Sequence, residues 1–164
     1  MNRGRAQGWL FGGSLAIAFL LQLMPLPQLL LPVKPYWVAL VLIYWAIELP
    51  EKIGLGFAFL FGLAGDVLTG ELLGEQALRL VVLAFIVLRF RARLRFFPMW
   101  QQALAVLALL LNDRIVMLMV RGFSGEAMPS VAYWLAPAVG MLMWPFVFLL
   151  LDDLRTRLRG SEPR

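Results

Sequence analysis

The stretch GLGFAFLFGLAGDVLTG, residues 54–70, carries a single charged side chain, Asp66, and its reading decides that of the rest of the chain. Gly54, Ala58 and Gly62 recur every four residues and Asp66 is next in the series. On a helix these positions form one stripe. In lipid, small residues at this spacing let two helices approach closely. The stripe therefore turns Asp66 toward packed neighbours and away from lipid, and the run reads as one membrane helix in a bundle.

The same character extends in both directions. Of the 164 residues 62% are hydrophobic, and the mean hydropathy is +0.81. A bilayer core about 30 Å thick takes about 20 helical residues to cross. Apolar runs fill the chain at about residues 8–31, 36–49, 53–68, 77–90, 99–120 and 131–151, and a basic tail follows at 152–164. The expected fold is an all-α membrane protein of six transmembrane helices in one domain, with no repeat, low-complexity tract or linker. Pro25, Pro27, Pro32 and Pro35 break up the end of the first run, because proline lacks an N–H and disfavours helix in the residue before it. Pro137, Gly140 and Pro145 suggest a bent sixth helix. Runs two to four are short, so Tyr36, Trp37, Tyr44 and Trp45 are expected at the membrane interfaces.

The basic residues orient the bundle. With the N-terminus inside, 11 of the 15 Lys and Arg fall in the inner segments, among them Arg3, Arg5, Lys52, the run Arg89, Arg91, Arg93 and Arg95, and the tail residues Arg155, Arg157, Arg159 and Arg164. Only Lys34 and Arg121 fall outside, while Arg79 and Arg114 lie within spans. This bias places both termini in the cytoplasm. The first run has Arg3 and Arg5 ahead of it but no A-x-A-like cleavage site, so it is read as a retained helix and not a signal peptide. The net charge of +5 serves topology and anionic lipid, not nucleic acid.

Composition also narrows the chemistry. There is no Cys and no His, which removes thiolate metal sites, a cysteine nucleophile and the usual general base near neutral pH. The Ser and Thr residues are Ser14, Thr69, Ser124, Ser130, Thr156 and Ser161, none of them in a nucleophile motif. No phosphate-binding Gly-Lys-Ser/Thr loop is present. The expectation is a protein without catalysis, cofactor or metal.

Charges inside apolar spans are costly and mark function by default. Here they are Glu48, Asp66, Arg79, Asp113 and Arg114, with Asn112 alongside. Under the six-span topology Asp66, Arg79, Asp113 and Arg114 all fall in the outer half of the membrane, whereas Glu48 reaches the inner interface. Arg79 is the nearest partner for Asp66 across the short loop 69–76. The cluster reads either as an ion-pair lock between helices or as a polar groove open to the outer face, lined by Gly54, Ala58, Gly62, Asp66, Arg79, Asp113 and Arg114. A second small-residue stripe, Gly8, Gly12 and Ala16, serves packing within the bundle or docking of a partner helix. Arg89, Arg91, Arg93, Arg95, Arg155, Arg157 and Arg159 are expected to anchor the inner face to lipid or a partner.

Several pieces together resemble the MreD family of bacterial rod shape-determining membrane proteins over nearly the whole chain. They are Pro35-x-Trp37, Tyr44-Trp45 followed by Pro50, Gly54-x-Gly56, the run Gly62-Leu63-Ala64-Gly65-Asp66-x-Leu68-x-Gly70 continuing to Leu73-Gly74 and Ala77-Leu78, and Trp144-Pro145 ahead of the basic tail. The resemblance implies a place in the bacterial inner membrane and a role in cell-wall elongation. The implied partners are the MreC periplasmic scaffold and, indirectly, the MreB filament, RodA and a class B penicillin-binding protein. It also implies a fold like the substrate-binding subunits of energy-coupling-factor transporters. Asn112-Asp113-Arg114 is not among the pieces that carry the resemblance, and its reading rests on depth alone.

Three functions are compatible with these residues. The first is a scaffold that holds a bitopic MreC-type partner. The second is a transporter subunit for a small vitamin-like solute. The third is a lipid-handling protein whose Asp66, Arg79 and Arg114 meet a headgroup.

Overall fold

A computed structural model describes residues 3–160, with the side chain of Arg3 outside the description. Met1, Asn2 and the last four residues of the expected tail, Ser161 and Arg164 among them, lie outside it. Among the described residues there are six α-helices and no strand: α1 (Arg3–Leu23), α2 (Trp37–Glu48), α3 (Leu55–Thr69), α4 (Glu75–Phe96), α5 (Met99–Phe123) and α6 (Leu135–Gly160). Short 3-10 turns at Leu31–Val33 and Val131–Trp134 precede α2 and α6. Four segments are long and apolar enough to cross a membrane: Gly4–Leu23, Leu31–Glu48, Met99–Phe123 and Val131–Gly160. The apolar α3 is shorter at 15 residues.

The architecture is a ring around a central helix. Every residue of α2 from Val38 to Ile47 is buried. A helix apolar on all sides belongs in the middle of a bundle, and α2 packs against α1, α4 and α6. The ring continues through α5, which contacts both α4 and α6, and through α3, which lies along α4. Aromatic pairs join α1 to α3, with Phe19 and Phe61 centroids 4.6 Å apart and Phe11 and Phe57 5.5 Å apart. The contact of α1 with α6 completes the circuit. At 1.5 Å per residue α2 is only about 18 Å long, so its ends sit recessed inside the ring.

This position overturns the interfacial assignment of Tyr44 and Trp45. Both are fully buried, and Tyr36 is nearly so. Trp45 Nε1 donates to Ser14 Oγ at 2.8 Å, which in turn donates to the Phe11 carbonyl at 3.0 Å. Trp144, also fully buried, donates through Nε1 to Gln102 Oε1 at 3.0 Å, and Gln102 Nε2 donates to the Leu94 carbonyl at 3.0 Å. Each indole thus finds the acceptor its N–H requires, and the two chains tie α1 to α2 and α6 to α5.

Helix boundaries differ from expectation where polar groups decide them. The first helix begins at Arg3 and ends at Leu23, well short of residue 31. Lys34 folds back and donates to the carbonyls of Gln22 and Met24, satisfying groups that the end of a helix leaves open. The fourth helix runs past residue 90 to Phe96, so the whole run Arg89–Arg95 is helical. The sixth runs on through the described part of the tail to Gly160 with Pro145 inside it.

The closest approach of backbone to a glycine among the described residues lies between α3 and α4. A Cβ placed on Gly62 would meet Ala77 Cα at 2.5 Å and the Gln76 carbonyl oxygen at 2.7 Å. Both are backbone atoms, so only glycine allows this approach. Gly62→Ala is expected to destabilise the protein by about 1–3 kcal/mol through overpacking. At Gly12 a Cβ meets nothing within 4 Å, and Gly12→Ala is expected to leave stability unchanged. Thermal melts of the two variants in mild detergent, followed by tryptophan fluorescence, check the contrast.

Candidate functional site

The polar residues singled out from the sequence gather at one end of the bundle, where α1, α3 and α5 finish and α2, α4 and α6 begin. Asp66 is buried in the last turn of α3. The turn that follows needs two glycines in the left-handed region, Gly70 at φ 69° and Gly74 at φ 96°. It brings the start of α4 directly onto the Asp66 carboxylate. Oδ2 accepts from the Gly74 N–H at 2.8 Å, and Oδ1 accepts from the Gln76 N–H at 2.8 Å. These are N–H groups that the beginning of a helix leaves without partners, and a negative charge there is favoured by the helix dipole. Asp66 is therefore the cap of α4, supplied from the neighbouring helix, and not the ion-pair partner of Arg79.

Arg79 pairs elsewhere. Its Nε donates to Asp113 Oδ1 at 2.9 Å and its Nη2 to Oδ2 at 2.7 Å, a two-pronged bond between α4 and α5. Both side chains are buried. Glu75, one turn before Arg79 on α4, lies 3.8 Å from it and 3.7 Å from Arg121 on α5. Arg121 also lies 3.7 Å from Glu126. The Arg79 guanidinium stacks on Tyr36, 4.6 Å from the ring centre, which brings α2 into the network. The sequence showed Arg79 and Asp113 as costly charges but not as each other's partners. The Glu75–Arg79 pair was visible as an i, i+4 spacing; Tyr36 and Arg121 gave no local signal of their roles.

Arg114 stands apart from this lock. It lies over the Tyr133 ring, 4.1 Å from the centre, and no carboxylate pairs with it among the described residues. With Lys34, Arg79, Tyr36, Gln76 and Glu71 it lines a polar recess of about 390 Å³ above the start of α2. The Tyr36 hydroxyl and Gln76 Oε1 are buried without a hydrogen-bond partner. Asn112 turns to another face and lines an apolar groove with Phe90 and Leu94.

The small residues divide in the same way. Ala58 and Gly62 are buried against neighbours, whereas Gly54 is exposed at the start of α3 with open space around it. Gly12 and Ala16 are exposed, and Gly8 has only Lys52 Nζ near it at 3.9 Å. The face of α1 that packs inward is instead Ser14, Leu15, Ala18 and Phe19. The stripe Gly8, Gly12 and Ala16 therefore packs against no other helix of this chain among the described residues.

At the opposite end two of the expected anchoring arginines are held inside the protein. Arg155 is buried and pairs with Glu48 at the end of α2. Arg91 donates through Nε to the Ile47 carbonyl at 2.8 Å, closing the same helix end. Arg157 pairs with Asp153 at 2.7 Å on the exposed side of α6. Arg89, Arg93, Arg95 and Arg159 are exposed.

No group of three or more His, Cys, Asp or Glu placed to hold a metal ion is found among the described residues. The carboxylates of the buried network are occupied by backbone N–H groups or by guanidinium. Replacing Arg79 by Met leaves Asp113 buried and unpaired, and is expected to cost about 3–5 kcal/mol. Replacing both, Arg79→Met with Asp113→Leu, is expected to restore most of that loss. Chemical unfolding of the single and double variants in detergent measures the coupling.

Comparison with known proteins accords with this arrangement. The family described as rod shape-determining protein MreD matches residues 4–154. The chain is 34% identical over 143 residues to the rod shape-determining protein MreD of Haemophilus influenzae, covering 87% of this chain and 88% of that one. No solved structure matches. A match across almost all of the six-helix bundle shows that the chain belongs to the MreD family of rod shape-determining proteins.

Proposed function

We propose that the chain is a non-enzymatic scaffold of the bacterial cell-elongation machinery. In this reading it crosses the inner membrane six times with both termini in the cytoplasm, and it holds a bitopic MreC-type partner so as to organise peptidoglycan synthesis. Family membership supports the role in rod shape. The observation that carries the scaffold reading is the open face of α1. Gly12 and Leu23 are eleven residues apart, close to three full helical turns, so the stripe at Gly8, Gly12 and Ala16 leads along one face to Leu23 at the rim of the polar recess. A single-span partner packed along this face would deliver the segment that follows its helix to Lys34 and Arg114. The buried network beneath the recess supplies rigidity, and its acids and bases neutralise one another instead of facing a substrate.

Capture of an MreC-type partner by the purified chain tests the proposal. Gly12→Leu with Ala16→Leu fills the open face and is expected to lower capture at least fivefold without lowering the melting temperature. Lys34→Gln with Arg114→Gln is expected to weaken it by less. Undiminished capture by the α1 variant removes this face from the reading. The polar recess gives the transporter alternative its one support, since 390 Å³ is a volume that small ligands occupy. A small solute retained through purification and lost on Arg114→Gln would favour that alternative.

The orientation has its own test. Exposed Lys and Arg crowd the end bearing Arg93, and such a bias marks the cytoplasmic side. Because the chain has no Cys, single cysteines report cleanly. Glu126→Cys is expected to react with a membrane-impermeant maleimide once the outer membrane is permeabilised, and Arg93→Cys only after the inner membrane is opened. The reverse pattern inverts the topology.

A further inference from the structure

Two cavities that the proposed scaffold role does not use meet at the gap between α1 and α6. One is a polar pocket of about 260 Å³ near the described chain ends, lined by Gln7, Leu10, Arg155, Leu158 and Arg159. It contains two guanidinium groups and an amide, and no carboxylate lines it among the described residues. Arg155 is buried, and although it pairs with Glu48, its Nε has no hydrogen-bond partner. The Gln7 Nε2 atom is likewise buried and unpartnered. Arg159 has no ion-pair partner among the described residues. A buried donor left without an acceptor is costly, and two of the residues that line this pocket carry one.

The other cavity is an apolar groove of about 280 Å³ that begins at the same Leu10 and follows α1 and α6 down to Leu21 and Trp37, with Gly13, Ile17 and Leu150 on its walls. From Leu10 to Leu21 the groove follows α1 for about 16 Å. Its floor includes Val41, the most exposed residue of the buried run Val38–Ile47 in the central helix. In a bilayer such a groove faces acyl chains, and an empty one forfeits the contacts its lining would otherwise make.

A cationic pocket continuous with an apolar groove has the chemistry of one amphiphile. We propose that the α1–α6 gap is a binding site for a single anionic glycerophospholipid, its phosphate held by Arg155, Arg159 and Gln7 and one acyl chain laid along the groove. The charge of the pocket selects anionic over zwitterionic headgroups, and the groove distinguishes a lipid from a free phosphate ion. Basic pockets between membrane helices take acidic headgroups in this manner.

The test uses the full chain, delipidated in mild detergent, with native mass spectrometry to count bound lipid. The probes are dioleoyl phosphatidylglycerol, dioleoyl phosphatidylcholine and inorganic phosphate. One phosphatidylglycerol is expected to remain bound, with at least fivefold preference over phosphatidylcholine. Arg159→Gln is expected to lower its retention at least fivefold, while Arg93→Gln, exposed on α4 at the same end, leaves it unchanged. Gly13→Phe, where a Cβ meets nothing within 4 Å, fills the groove and is expected to abolish retention; Leu154→Trp is the second filling variant should the first fail to fold. Equal retention of the two lipids overturns the proposal, as does equal loss from Arg159→Gln and Arg93→Gln. So does retention that survives both groove-filling variants. Displacement of the lipid by an equal concentration of inorganic phosphate also overturns it, because the pocket would then be a site for the free anion.

Discussion

The meeting of α3 with α4 sets the rest of the bundle. Within lipid the hydrophobic effect does little to bring helices together, and close packing and polar contacts carry the task. Gly62 removes the side chain that would hold the two backbones apart, and Asp66 takes hold of the first N–H groups of α4. With the start of α4 fixed in both position and direction, Glu75 and Arg79 fall one turn apart on the helix face that meets α5. Asp113 and Arg121 complete them there. The same placement lays Arg79 against Tyr36 at the head of the central helix. One carboxylate used as a cap thus makes possible the ion pairs that the other charges form.

The two ends of the bundle solve one problem in different ways. The short central helix leaves its terminal N–H and C=O groups inside the ring of surrounding helices. At its C-terminal end Arg91 bonds the Ile47 carbonyl and Arg155 meets Glu48. At its N-terminal end the side-chain oxygen of Gln22 accepts from the Trp37 N–H at 3.2 Å. Long side chains borrowed from the surrounding helices therefore do what interfacial water does for a helix that reaches the surface. This is why arginines that look like lipid anchors in the sequence include two that are structural.

Much of this was legible in the sequence. The apolar runs gave all six helices, and the stripe ending in Asp66 correctly turned that residue toward a neighbour. Its partner was misread because spacing shows which charges are near, not whether a carboxylate will prefer a backbone N–H to a guanidinium. Tyr44 and Trp45 were misplaced for a related reason. An aromatic residue with one polar atom suits an interface and a core equally, and the acceptor that decides, Ser14, lies 31 residues away. The small-residue stripes were alike on paper, yet one is packed from Ala58 onward and the other is open. Local sequence fixes which face of a helix is smooth; the topology decides which face is covered.

The order in which the chain is made gives the central helix a further meaning. It is the second helix to be synthesised, yet two of the helices that cover it, α4 and α6, come later. A segment that must wait in the lipid before its cover arrives cannot carry charges on its flanks, and α2 has no charged side chain from Val38 to Ile47. Arg79 has the opposite difficulty, because Asp113 follows it 34 residues later, a delay on the order of a few seconds at usual rates of synthesis. Glu75, one turn away on the same helix, is at hand from the start as a provisional counter-ion. The meeting of α6 with α1 comes last, so the central helix has its full cover only when the final helix is in place.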